Sequence, residues 1–295
     1  MPDGNGASVK RASKWSSNRV LKQRLITAAV LIPVVVISVL WLPPAYFALF
    51  FGLAALVGGW EWSRFVGLQA LLSRLLYTAA VLALLVVSWV YISDTLQNVI
   101  AVLVVALLWW VVAMVLVVLY PRYARIRQNP LVTGLAGMFV IVPCWLALIT
   151  LHGSSLQGAY LVLFLLGTTA VADSGAYFGG KKWGTNKLAP NVSPGKTWEG
   201  VISGLLSVAA FAFICAWFFN FANSGWEAVM LFVVVTVLTA LFSVLGDLTE
   251  SLYKRQSGLK DSGAILPGHG GILDRIDSIT AAAPVFVICL WLLFW

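Results

Sequence analysis

Hydrophobic and polar positions segregate into long blocks along this chain: apolar runs near the length of a membrane span, separated by short polar joints. A helix that crosses a bilayer needs about 20 apolar residues, within about 17–25. On that measure nine spans are predicted, at 25–42, 45–60, 76–93, 97–119, 131–151, 156–172, 200–222, 226–246 and 279–295. The joints carry turn chemistry: Pro43-Pro44, Ser93-Asp94, His152-Gly153-Ser154-Ser155 and Asn223-Ser224-Gly225. Pro33, Pro143 and Pro284 fall inside spans, where neighbouring helices satisfy the freed carbonyls and a kink is the modest reading. No internal repeat is visible, which weakens a transporter built from inverted halves. The expected fold is an all-α polytopic integral membrane protein.

Composition agrees. Mean hydropathy is +0.94, and 61% of the 295 residues are hydrophobic against 10% charged. A soluble domain of this size would need a polar shell that these residues cannot supply. Cys144, Cys215 and Cys289 stand singly inside apolar runs, which is neither a disulfide framework nor a metal-binding spacing.

The net charge of +8 changes the picture only through its placement. Lys10, Arg11, Lys14, Arg19, Lys22 and Arg24 precede the first span; Arg64 and Arg74 follow the second; Arg122, Arg125 and Arg127 follow the fourth. Lys181, Lys182, Lys187 and Lys196 follow the sixth, and Lys254, Arg255, Lys260 and Arg275 the eighth. With nine spans, all nineteen bases fall on one side, which predicts a cytoplasmic N-terminus and an external C-terminus. The excess then faces an anionic leaflet, and nucleic acid is not required. Residues 1–24 form a polar, basic arm, residues 25–172 the first six spans, and residues 173–295 a region in which two long charged loops alternate with the last three. No small-residue cleavage site follows Trp41-Leu42-Pro43-Pro44, so the first span reads as an uncleaved anchor.

The candidate chemistry lies in the two loops, 173–199 and 247–278. In the first, glycines at 175, 179, 180, 184 and 195 permit close backbone approach to a ligand, while Lys181, Lys182, Lys187, Lys196, Ser193 and Thr197 offer phosphate donors. Ser193 and Pro194 read as the cap and first residue of a helix, which beside lysine makes an anion site. Gly195-Lys196-Thr197 ends like a P-loop, but the required earlier glycine falls at Pro190 and no strand precedes it. Lysines that merely obey topology are the plain alternative for this loop.

The second loop is harder to dismiss, because charged groups beside a bilayer are costly and mark function. Asp247 sits where the eighth span leaves the membrane, and Asp274 and Asp277 stand before the ninth, on one face if that stretch is helical. Gly268, Gly270 and Gly271 allow a tight turn around His269. Hard oxygen ligands beside phosphate-binding lysines suit Mg²⁺ held partly by substrate phosphates, with room for a second cation. Zinc is disfavoured, since His269 has no Cys or second His nearby. Helix-capping carboxylates are the plain alternative for Asp247 and Asp277.

The run from Ser251 through Lys254-Arg255, Lys260-Asp261, His269-Gly270-Gly271 and Asp274-Arg275 to Asp277 resembles the signature of the phosphatidate cytidylyltransferase (CDP-diacylglycerol synthase) family. The upstream Ser193-Pro194-Gly195-Lys196-Thr197-Trp198-Glu199-Gly200 and the Asp173-Ser174 segment are similar to that family as well. The resemblance implies transfer of CMP from CTP to phosphatidate, giving CDP-diacylglycerol and pyrophosphate with a divalent metal. It implies a metal centre at Asp247 and Asp274, with Asp277 either joining it or fixing Arg275. Lys196, Lys254, Arg255, Lys260 and Arg275 would hold phosphates, Ser193 and Thr197 would add hydroxyls, and Asp173, Asp261, His269, Gly270 and Gly271 would line the substrate. The setting implied is a bacterial inner membrane with the site facing the cytoplasm; a homodimer is compatible, but nothing in the sequence locates its interface. A transporter is disfavoured because the spans are nearly free of ionisable groups, Glu61 (readable as the i+3 partner of Arg64) being the exception. A lipid kinase and a structural scaffold are the remaining alternatives, and pyrophosphate release from CTP separates them.

Overall fold

The structure, a computed structural model, describes residues 23, 25–122, 129–154, 157–219 and 221–294. The arm expected over 1–24 lies almost wholly outside them. Long helices account for nearly all the rest: α1 (Leu25–Trp41), α2 (Pro44–Phe65), α3 (Leu71–Val87, continued by a π-helical turn over Ser88–Ile92), α4 (Leu96–Val118), α5 (Pro130–Gly153), α6 (Gly158–Trp183), α7 (Trp198–Phe218), α8 (Trp226–Gln256) and α9 (Leu273–Phe294). Among the described residues, eight of these are long and apolar enough to cross a membrane, and α1, at 17 residues, sits at the lower edge of spanning length.

Long-range hydrogen bonds fix which helix ends lie together. At one end, Thr27 of α1 donates to the Pro267 carbonyl, Arg64 of α2 to the Ser262 carbonyl, and Ser257, just past α8, to the Phe65 carbonyl. At the other end, His152 of α5 bonds the Val39 carbonyl, and the α3, α4 and α5 termini line one crevice through Trp89, Leu96 and Ser154. Helices that alternate between the same two ends are what a chain of single crossings requires.

The core lies around α5 and α9, whose most apolar windows are 78% and 67% buried against 22% for α3. Small residues make that possible. A Cβ at Gly137 would collide with Trp62 and Tyr77, and those two side chains instead donate to the Thr133 and Gly134 carbonyls at 2.8 and 2.9 Å. Asn129 caps α5 by accepting the Leu131 N–H, with Pro130 at the first position, where its missing donor costs nothing.

Three local expectations are corrected. The charged segment from 173 is not loop at first, because α6 continues to Trp183. Ser193 and Pro194 do not start a helix: Ser193–Thr197 is a strand (β2) paired antiparallel with Lys187–Ala189 (β1), and α7 starts at Trp198 with the Thr197 hydroxyl accepting the Gly200 N–H. The loop expected over 247–278 is shorter, since α8 runs to Gln256 and α9 starts at Leu273.

Candidate active site

Two facing small-residue pairs bring α6 and α7 close together. Gly175 and Gly179 on α6 and Gly200 and Gly204 on α7 are each four residues apart, the spacing that lets helix backbones approach in membranes. A Cβ on Gly179 would collide with Ser203, and one on Gly204 would stand 2.7 Å from the Ala172 carbonyl. Gly175 and Gly179 therefore serve helix packing, whereas Gly180 and Gly195 line a cavity.

That cavity, of about 440 Å³, opens between α6, the β-hairpin, α7 and α8. Asp173 and Lys181 reach it from α6, Lys196 and Thr197 from β2, and Asp247 from α8. Lys196 Nζ stands 2.7 Å from Asp247 Oδ2, and the Ser251 hydroxyl donates to Oδ1 at 3.2 Å. Asp173 shares the cavity wall with Lys196 and Asp247. Behind Val201 and Val244, which border both, lies an apolar crevice of about 620 Å³ lined by Leu188, Trp198, Leu241 and Leu245 among others.

The hairpin that delivers Lys196 is held by Glu199. Its carboxylate accepts from the Thr185 hydroxyl at 2.7 Å and from the Asn186 side chain at 2.7 Å. Arg255 is drawn to the same hairpin, its Nε donating to the Val192 carbonyl at 3.3 Å.

A second polar group anchors the signature loop, 257–272. Lys254 bridges Glu250 Oε2 at 3.0 Å and Asp274 Oδ1 at 2.8 Å. Asp274 Oδ2 accepts three donors: the Ser262 N–H, the Ser262 hydroxyl and the Gly271 N–H, at 2.8–2.9 Å. Accepting from Gly271, the Asp274 side chain ties the last residues of the loop to the first turn of α9. Gly268 and Gly270 take positive φ of 75° and 85°, the turn expected around His269, closed by the Leu266 N–H donating to the Gly270 carbonyl. Lys260 and Asp261 are exposed on this loop, and Arg275 is exposed at the head of α9. Asp277 lies half-buried within electrostatic reach of Asp247, Glu250 and Lys254.

The residues expected together thus fall into two adjoining groups. Asp173, Lys196, Thr197 and Asp247 surround the cavity; Lys254, Gly270, Gly271 and Asp274 order the loop beside it. Ser193 is on β2 but is not part of the cavity wall. Among the described residues no three or more His, Cys, Asp or Glu side chains converge as a metal cage. The sequence reading missed the loop's other anchor. Glu61, only 1% exposed, does not pair with Arg64; it accepts from the Ile272 and Leu273 N–H groups and the Ser262 hydroxyl. An acid inside an apolar span was the available signal; its partners, about two hundred residues away, were not.

Known proteins resemble this chain over nearly its whole length. A profile described as "Cytidylyltransferase family" matches residues 22–293. The phosphatidate cytidylyltransferase of Haemophilus influenzae is 41% identical over 281 residues, covering 90% of this chain and 97% of the relative. That of Pseudomonas aeruginosa is 43% identical over 284 residues, covering 94% and 99%. A match spanning nearly the whole of both partners, and taking in both polar groups, leaves one conclusion: the chain belongs to the cytidylyltransferase family and is an integral membrane nucleotidyltransferase.

Proposed function

We propose that this enzyme transfers CMP from CTP to phosphatidate, releasing pyrophosphate and leaving CDP-diacylglycerol in the membrane. The observation that carries the reading is the pairing of a charged cavity with an apolar crevice across Val201 and Val244. An amphiphile with an anionic head fits that pair, its acyl chains on the apolar side. Both relatives above bear the name of this activity.

An oxygen of the phosphatidate phosphate attacks the α-phosphorus of CTP in line. The bond from that phosphorus to the oxygen bridging to the β-phosphate breaks, and pyrophosphate departs with the bond electrons. The attacking phosphate is ionised at neutral pH, so no general base is needed and His269 acts in positioning. Catalysis of this kind rests on orientation and charge stabilisation. Lys196 and Thr197, on the cavity wall, bind phosphate; Lys254, Arg255, Lys260 and Arg275 supply the remaining positive charge around the loop, and Ser193, Asp261, Gly270 and Gly271 shape the approach.

Asp247 and Asp274 are the carboxylates that would hold Mg²⁺, with Asp277 and a second cation as further members. The donor chemistry fits: each of the first two already holds a cationic group, a lysine ammonium, at 2.7–2.8 Å. With no complete protein cage among the described residues, the remaining ligands would be substrate phosphate and water, as magnesium prefers. An ion bound there would supply positive charge to offset the repulsion between two anionic reactants. The placement of basic residues at the site end supports an active site on the cytoplasmic face of a bacterial inner membrane.

The test is an assay of purified protein in detergent with CTP, phosphatidate and a series of divalent ions. Pyrophosphate and a cytidine-bearing lipid should form in equal amounts, only with both substrates, and EDTA should stop the reaction. Release of pyrophosphate without a lipid product, or turnover undiminished by EDTA, overturns the reading.

A further inference from the structure

Glu61 belongs to α2, which contributes nothing to the cavity wall, yet its carboxylate is the deepest anchor of the signature loop. Oε1 accepts the Ile272 N–H at 3.1 Å, while Oε2 accepts the Leu273 N–H at 2.9 Å and the Ser262 hydroxyl at 3.1 Å. It thus caps the start of α9 from another helix, filling the anion site that a helix N-terminus presents. Arg64, one turn on, seizes the same loop through the Ser262 carbonyl at 2.7 Å. The fit leaves no slack: a Cβ on Gly263 or Gly271 would collide with the Glu61 carboxylate.

From Glu61 the bonding runs without a break to the proposed chemistry. Ser262, fully buried, gives its hydroxyl to both Glu61 and Asp274 and its N–H to Asp274. Asp274 binds Lys254, and Lys254 binds Glu250. The next residue, Arg275, stands exposed at the head of α9 beside this anchor.

We propose that Glu61 is a positioning residue of the transfer reaction: through Ser262 and the first turn of α9, it holds Asp274 and its partner Lys254 in place without touching substrate. This rests on the functional reading above. An acid kept in the wall of an apolar helix has a purpose there, since such placement is costly. All three of its bonds go to the loop and to the head of α9.

The test uses the full chain in detergent, assayed for pyrophosphate with CTP and phosphatidate. Glu61→Gln should lower kcat about 10- to 100-fold, the usual loss when a supporting partner of a site goes. The KM for CTP should stay within about threefold, because Lys196, Thr197 and Asp247 have no bond to Glu61. Ser262→Ala should show the same split and carries the prediction by itself if Glu61→Gln does not fold. The double variant should lose no more than the worse single one, since the two act in series. Hydrogen exchange in Glu61→Gln should speed up in peptides covering 262–273 and stay unchanged in α5. Wild-type kcat in either single variant, losses that multiply, or exchange that rises evenly through the bundle overturns the proposal. A wild type inert toward phosphatidate sinks the functional reading, whereas an active wild type with unaltered exchange at 262–273 in Glu61→Gln sinks this proposal alone.

Discussion

Lys196 and Lys254 look alike in the sequence, two bases in charged segments, and the structure gives them different tasks. Lys254 is nearly enclosed, with 13% of its side chain exposed, between two carboxylates at 4% and 5%. Removing a buried ion-pair partner leaves uncompensated charge and costs about 3–5 kcal/mol. The Lys196 and Asp247 side chains are 24% and 26% exposed, and a pair in that setting contributes about 1 kcal/mol or less. Lys254→Met should therefore cost most of its activity through stability, lowering the denaturation midpoint in detergent. Lys196→Met should keep a near-native midpoint and raise the KM for CTP about tenfold, the loss of one charge-assisted phosphate contact. Equal midpoints for the two variants would show that burial does not separate their roles. Asp247→Asn and Asp274→Asn should each lower turnover at least about a hundredfold, and near-wild-type turnover in either removes that residue from the proposed metal centre. Residue identity was legible along the chain because charge in an apolar sequence stands out. Which charges are buried was not, since that depends on Glu61 of α2 meeting Ser262 and Gly271 of the loop.

Elements were legible where lipid or core burial sets their limits and illegible where the site does. The expected spans over 97–119 and 131–151 correspond to α4 and α5 within two residues. By contrast α6 runs eleven residues past its expected end at 172, α8 ten past 246, and α9 begins six before 279. In each case the extra turns carry charge, and at α8 and α9 that charge is paired through Asp247, Lys254 and Asp274 and their partners, to which a hydropathy window is blind. Pro194 misled in another way. It suits the first turn of a helix, but it equally suits a strand of a two-stranded hairpin, whose outer side needs no donor. The glycine pairs of α6 and α7 offer a direct check on element packing. Gly179→Leu would drive a side chain into Ser203 and push the helices apart. Overpacking at such a contact costs about 1–3 kcal/mol, and the cavity walls move with the helices. The expected result is a lower denaturation midpoint together with a higher KM for CTP, while Gly195→Ala, with nothing within 4 Å of its Cβ, should change stability little. A Gly179→Leu protein with unchanged stability and KM would mean that α6 and α7 are not held at this distance by their small residues.

At the scale of the whole molecule, the alternation of helix ends and the placement of charge make one claim together. Arg64, Arg74, Arg255 and Lys254 all belong to the end where the loop 257–272 meets α2. The opposite end, where Trp89, Asp94 and Ser154 line a crevice, has no lysine or arginine in that lining. Positive residues retained on one side orient a polytopic chain with that side inward, and the proposed reaction would draw its CTP from that side. Orientation and chemistry therefore stand or fall together: a site end facing outward would be cut off from its nucleotide. Single cysteines decide it, in a chain with Cys144, Cys215 and Cys289 replaced by alanine. Asp94→Cys, exposed at the far end, should react with a membrane-impermeant maleimide applied to spheroplasts. Gln69→Cys, exposed between α2 and α3 at the site end, should react only after permeabilisation. The reverse pattern would place the cavity outside, and the proposed use of cytoplasmic CTP would have to be abandoned even if the purified protein turned over.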